Sequence, residues 1–364
     1  MGVRITFPHL GSAYIPLEEM INGVGHDPVV PPPNNKSTLE LGSRLSPEDV
    51  CLPFKIILGN MLQGIEAGAE SVLMIGGCGP CRLGYYGEAQ KVLLRKAGLD
   101  VGFLSLEPLG KLEGGTISFL RRVFGPTNPA RLVNAARLAW AKLAVVEWLE
   151  VLALSTRPME ATKGTSTQVL NQWLNAVRAA QTMGRLREVC RLAADQFEAI
   201  SKEKDGETHL RIGLVGEIYT VVEPFANRNI EEHLGNLGVE VVRTISLKRW
   251  MEDHVFKRLL GLSYVKELQK WAEGYLSGSV GGHGLESVAR SIRLARFGLD
   301  GVIHILPLAC MPEVIAQGIL PKVSVDTGTP IMSLVVDEHS SEVGIATRLE
   351  AFVDLVERRH YASV

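Results

Sequence analysis

The sequence predicts an α/β protein whose strands run parallel in two lobes, with a helical block between them. Three observations carry that expectation. Short β-rich runs alternate with amphipathic helical stretches at both ends of the chain, the pattern of parallel α/β architecture. From about Pro129 to Lys204 the composition changes to Ala, Leu, Arg, Glu and Gln at helical spacing, with few strand formers. The 364 residues also suit two or three domains of roughly 100–200 residues each. The expected boundaries are 1–128, 129–205 and 206–364.

In the first lobe Val3–Pro8, Ser71–Gly77 and Gly102–Leu106 read as buried strands. Pro53–Ala69 and Gly84–Ala97 read as helices, the second stopped by Gly98. Pro31-Pro32-Pro33 and Asn34-Asn35 make Gly25–Ser43 read as a loop. From His209 the α/β pattern returns. Strands are expected at Leu210–Gly216, Val239–Ile245, Gly301–Leu306 and Ile331–Asp337, with helices near Pro224–Leu237, Gly284–Phe297, Pro312–Leu320 and Ser341–Arg358. Each lobe is thus expected to be Rossmann-like, the two facing one another across a cleft at the carboxyl ends of their strands, where open α/β sheets bind ligands.

Composition narrows the function classes. Lys and Arg number 38 against 40 Asp and Glu, a formal charge of −2, and no basic run of the kind nucleic acid requires is present. The longest apolar segments fall well short of the ~18–20 residues that cross a bilayer, and Met1–Ile5 leads into a strand-like stretch with no signal-peptide core. A cytoplasmic protein is expected, binding neither nucleic acid nor membrane. Five cysteines are too few, and odd in number, for a secreted disulfide framework.

Three of those five precede a proline by two positions: Cys51-Leu52-Pro53, Cys78-Gly79-Pro80 and Cys310-Met311-Pro312. With proline at about 5% of residues, chance supplies well under one such case. Proline is favoured in the first helical turn, so each Cys-x-Pro reads as a cysteine at or just before a helix N-terminus. Unpaired N–H groups and the helix dipole there favour the thiolate, the form that binds metal. Cys81 completes Cys78-x-x-Cys81, and Cys78 and Cys310 each follow an expected strand. Cys51, Cys78, Cys81 and Cys310 therefore form a candidate four-thiolate site, suited to a [4Fe-4S] cluster or tetrahedral Zn. Cys190 lacks the signature and reads as a packed thiol.

Two alternatives stand beside the cluster. A zinc- or cluster-stabilised scaffold subunit without catalysis is one, although one CxxC with two distant cysteines is not the paired knuckle of most structural zinc sites. A thiol–disulfide oxidoreductase using Cys78 and Cys81 is the other, since Cys78-Gly79-Pro80-Cys81 is the thioredoxin tetrapeptide. Against it stand Gly77, where an aromatic residue usually precedes the motif, the length of the chain and two further Cys-x-Pro elements left unexplained.

Cys51-Leu52-Pro53-Phe54-Lys55, Gly76-Gly77-Cys78-Gly79-Pro80-Cys81-Arg82, Gly216-Glu217-Ile218-Tyr219 with Pro224-Phe225-Ala226-Asn227, and Leu308-Ala309-Cys310-Met311-Pro312-Glu313 together resemble the 2-hydroxyacyl-CoA dehydratase component family, in its acyl-CoA dehydratase activase-related (CoA protein activase) branch. The resemblance spans most of the chain, including Asp337-Glu338-His339-Ser340-Ser341 and Thr347-Arg348-Leu349-Glu350-Ala351-Phe352, and is least diagnostic in the helical block. It implies two Rossmann-like lobes with an iron–sulfur cluster between them, and electrons received one at a time from a separate ASKHA-type ATPase activator with its own [4Fe-4S]. It also implies an anaerobe's oxygen-sensitive chemistry and a homodimer or a heterodimer with a homologous subunit. Dehydratase subunits use three cysteines and leave one iron open to substrate, whereas four stand in matching contexts here, which favours electron transfer or reduction over dehydration. A double-cubane [8Fe-9S] cluster usually takes six thiolates, more than the five cysteines of this chain. No G-x-x-x-x-G-K-[ST] phosphate loop is present.

The remaining polar candidates are weaker signals. His9, after the first strand, and Glu217, after the first strand of the second lobe, sit at carboxyl edges and are the catalytic candidates, Glu217 with the alternative of capping the next helix. Lys55 and Arg82 flank cluster cysteines and would offset negative charge, solvated surface charge being the plain alternative. Glu313 suits a first helical turn on dipole grounds alone, and Gly281-Gly282-His283-Gly284 reads as a connector or an anion cradle.

Overall fold

A computed structural model describes residues 2–75, 83–106, 128–200, 209–257 and 263–362. The chain divides into two compact units, Met1–Ala144 with Ala180–Met183, and Val145–Ala179 with Gly184–Val364.

The first unit carries β1 (Arg4–Thr6), α1 (Tyr14–Gly23), β2 (Asp27–Val29), α2 (Lys36–Leu45), α3 (Leu52–Glu66), β3 (Ser71–Ile75), α4 (Leu83–Lys96) and β4 (Gly102–Leu106). All pairings are parallel, in the order β2-β1-β3-β4. Ile5, Phe7 and Leu73 of the sheet region pack with Ile21 and Val24 to form its core. The loop expected over Gly25–Ser43 contains two elements instead. Asp27–Val29 pairs with β1 as an edge strand, a site that the prolines just beyond it tolerate. The asparagines do not break a helix but start one: Asn35 accepts from the Thr38 N–H and the Thr38 hydroxyl accepts from the Asn35 N–H, a reciprocal cap that opens α2.

Helix α3 is buried on nearly every side from Leu52 to Met61, which its apolar sequence allows. It lies against α2 through a glycine pair. A methyl at Gly42 would overlap the Lys55 carbonyl, and one at Gly59 would overlap the Thr38 carbonyl. That close crossing fixes the start of α3, where Cys51 sits.

The stretch expected to be helical, 129–205, is α5 (Pro129–Thr156), a 3-10 turn at Arg157–Met159, α6 (Thr165–Ala179) and α7 (Met183–Glu198), with 201–208 outside the described residues. The division between the units falls within α5.

The second unit continues with β5 (Arg211–Gly216), α8 (Ile218–Val222), α9 (Pro224–Asn227), α10 (Ile230–Asn236), β6 (Glu240–Arg243), α11 (Leu247–Met251), a π-helical turn at Glu252–Phe256 and α12 (Tyr264–Trp271). It ends with α13 (Gly284–Arg296), β7 (Gly301–Pro307), α14 (Met311–Thr327), β8 (Ile331–Val336) and α15 (Glu342–Ala362). Its sheet is again parallel, in the order β6-β5-β7-β8. The strand expectations hold to within three residues at each end.

Two helices depart from expectation. Pro224–Leu237 is broken, because Arg228 and Asn229 are left-handed (φ 58° and 56°) and the Asn227 carboxamide bridges the corner, donating to the Val221 carbonyl and accepting from the Ile230 N–H. Pro312–Leu320 instead runs to Thr327 through Pro321 and stops at left-handed Gly328. Burial of Ala316 and Val323 against α13 outweighs the hydrogen bond that Pro321 cannot donate. Both sheets therefore share one topology, with the order reversing between the first and third strands of each lobe, the switch point where doubly wound sheets bind ligands.

Candidate functional site

The strand ends define two edges, each described within its own unit. Cys78 is the third residue past the end of β3, and Cys310 is the third residue past the end of β7. Counted along the sequence, the two cysteines stand equally far from the ends of equivalent strands. Cys78, Cys81 and Arg82 lie outside the described residues.

Cys51 is the N-cap of α3 and Cys310 the N-cap of α14. Both have extended backbone, φ −71°, ψ 157° and φ −80°, ψ 93°, and both are followed by proline in the first turn. Neither sulfur caps its own helix. The expectation that Cys-x-Pro places a thiol at a helix N-terminus holds for both described cases. Each sulfur lies near a positive pole of about half a charge, in the environment that stabilises a thiolate.

At the start of α3 the first unit places one polar side chain against Cys51 and two more at the same turns of helix. The Tyr86 hydroxyl, from the first turn of α4, is hydrogen-bonded to Cys51 Sγ. Lys55, one turn into α3, is only 4% exposed, so it is not the solvated surface charge that its type suggests; its Nζ reaches the Glu48 carbonyl at 3.5 Å. Gln90 donates to the Phe54 carbonyl at 3.5 Å, tying α4 to α3. His9 is buried: its N–H donates to Asn60 Oδ1 at 2.9 Å, and its Nε2 lies 2.8 Å from the Pro31 carbonyl. A carbonyl only accepts, so Nε2 carries a proton in this contact.

In the second unit Gly216 ends β5 with φ 142°, where any side chain would overlap the Ile305 backbone, and it delivers Glu217 to the edge. Glu217 spends both oxygens capping α8, accepting from the N–H groups of Tyr219 (3.0 Å) and Thr220 (2.9 Å) and from the Thr220 hydroxyl (2.8 Å). Of its two readings, the capping one accounts for these three hydrogen bonds. Glu313 is fully buried. Its Oε2 pairs with His304 Nε2 at 2.8 Å, whose Nδ1 meets Ser333 Oγ at 3.0 Å, while its Oε1 has no hydrogen-bond partner among the described residues.

His283, the N-cap of α13, is buried close to the charges of Glu217 and Glu313; burial depresses its pKa below the ordinary imidazole value, against the pull of the two carboxylates. The sequence marked 281–284 only by its glycines and gave no sign of the His283–Glu313–His304 grouping, which joins residues of different elements.

Cys190 is half-buried on α7, and burial raises its thiol pKa, in keeping with a packing role. Among the described residues no three His, Cys, Asp or Glu side chains are arranged to hold a metal ion, and the expected four-cysteine set includes two residues outside them. What is described of that set, two cysteines at helix N-termini, one of them in contact with a tyrosine hydroxyl and followed one turn later by a buried lysine, fits thiolate ligation chemically. No helix among the described residues is long and apolar enough to cross a membrane. No family model matches the chain, and no curated protein matches it.

Proposed function

We propose that this chain is an iron–sulfur electron-transfer or reductase component, holding a [4Fe-4S] cluster through Cys51, Cys78, Cys81 and Cys310. In this reading it takes low-potential electrons singly from a separate ATP-hydrolysing activator, pairs with a second copy or a homologous subunit, and resembles the 2-hydroxyacyl-CoA dehydratase components. The observation that carries the reading is the cysteine N-cap, repeated at α3 and α14 and written a third time in Cys78-Gly79-Pro80. Contact of Cys51 with Tyr86 adds support, because Tyr86 lies only five residues after Cys81 in the chain.

When bound, the cluster supplies a one-electron couple at low potential. The protein's own residues do the rest. The thiolates bind and are held ionised by the helix N-termini, the buried Lys55 ammonium offsets negative charge near Cys51, and Tyr86 donates toward its sulfur.

Anaerobic purification followed by iron and sulfide assay, with EPR after dithionite, tests the proposal. Iron and sulfide near four per chain with a reduced-cluster signal are expected for this cluster type. Cys310→Ser should lower iron content and Cys190→Ser should leave it unchanged. Colourless protein holding one zinc would overturn the redox reading in favour of a scaffold, and a Cys78/Cys81 dithiol titrating without metal would favour thiol–disulfide exchange.

A further inference from the structure

We infer that Tyr86 is a positioning residue that hydrogen-bonds to Cys51 Sγ and raises the reduction potential of the centre this cysteine holds. The inference rests on the cluster reading above and goes beyond it, since nothing in the cysteine pattern involves a tyrosine.

The geometry is specific. Tyr85 and Tyr86 are neighbours in sequence, yet Tyr85 is 73% exposed and Tyr86 5%. The Tyr86 ring packs edge-on against Phe54, centroids 4.8 Å apart at 89°, and its hydroxyl reaches Cys51 Sγ, three residues before Phe54. Gln90, one turn after Tyr86, donates to the Phe54 carbonyl, so two successive turns of α4 are keyed to the start of α3. The ring contact and the Gln90 hydrogen bond together hold Tyr86 against the start of α3.

The direction of the effect follows from the donor inventory. A thiolate only accepts, so the phenol O–H donates. A hydrogen bond to a ligating sulfur withdraws electron density and stabilises the more negative, reduced state. Tyr86 is buried and Cys51 half-buried, so the bond meets less competition from water than one at the surface. No proton leaves the tyrosine in this role, and the electron comes from the external reductant.

The test uses the full chain, purified anaerobically with its cluster. Tyr86→Phe keeps the ring against Phe54 and removes only the donor. Potentiometric titration followed by EPR should show its reduced-to-oxidised ratio about tenfold lower at a given potential, equivalent to about 59 mV downward for a one-electron couple. Iron content should be unchanged. Equal potentials at equal iron content overturn the inference and leave the cluster reading standing, whereas a wild-type protein without iron overturns both. If Tyr86→Phe fails to retain iron, wild-type protein carrying 3-fluorotyrosine, a stronger donor, should titrate at higher potential; no shift there overturns the inference.

Discussion

Cysteine is a poor residue with which to begin a helix. Ser, Thr, Asp and Asn at that position accept a hydrogen bond from the first turn and stabilise by about 1 kcal/mol, a gain that Cys51 and Cys310 forgo. Side chains cap α2 through Asn35, α8 through Glu217 and α12 through Ser263, whereas Ala13 before α1 and His283 before α13, like the two cysteines, make no such bond. Ala309, held left-handed at φ 66°, is a further local cost at the Cys310 turn. His283 makes a separate prediction at this scale. The fold keeps its imidazole neutral below the ordinary value of 6.5, so the unfolded chain takes up the extra proton first. Stability should fall as the pH drops below about 6.5, by up to about 1.4 kcal/mol per pH unit from this residue, until the folded pKa is passed. Urea unfolding between pH 5 and 7 should give a shallower slope for His283→Gln than for the wild type; parallel slopes would refute the assignment.

Two contacts between elements decide where functional side chains end up. The α2–α3 crossing depends on the absence of side chains at Gly42 and Gly59, so Gly59→Ala must push the helices apart. A destabilisation of about 1–3 kcal/mol is expected from overpacking, measured as a lowered urea midpoint. Because α3 carries Cys51 at its start, the same variant should also bind less iron if the cluster reading holds. In the second unit Arg243 of β6 is paired with Glu150 of α5 and, at 3.3 Å, with Glu231 of α10, while Glu147 accepts the Lys248 N–H at 2.7 Å. Burial alone would lower the Arg243 pKa, but Glu231 and Glu150 outweigh it and hold the guanidinium firmly charged. Arg243→Ala would strand buried carboxylates at a cost of about 3–5 kcal/mol at neutral pH. Burial raises the pKa of Glu147 and of Glu231, so these groups neutralise readily, and the deficit should shrink as the pH is lowered toward 5. A deficit independent of pH would show that packing, not charge, is what Arg243 supplies.

At the scale of the whole molecule the two sheets repeat one strand order, and the third residue beyond the third strand of each lobe is a cysteine followed two positions later by proline. Most of this was legible in the sequence. The buried strands announce themselves as short runs of Val, Ile and Leu, and the Cys-x-Pro pattern marks helix starts through proline's fixed φ, a constraint the residue carries with it. Local chemistry misled where a residue has two uses: Asn34-Asn35 read as loop but supplies a cap, and the helix expected near Pro312–Leu320 continues through Pro321. The sequence by itself determined the α/β class and the thiols that stand at helix N-termini, because periodicity and proline geometry act over a few neighbouring residues. Only the tertiary structure decided the strand order, which of two adjacent tyrosines meets Cys51, that Lys55 is buried, and that His283, Glu313 and His304 come together. Those outcomes depend on packing between segments far apart in the chain, where side-chain identity leaves many partners equally possible until the sheet has formed.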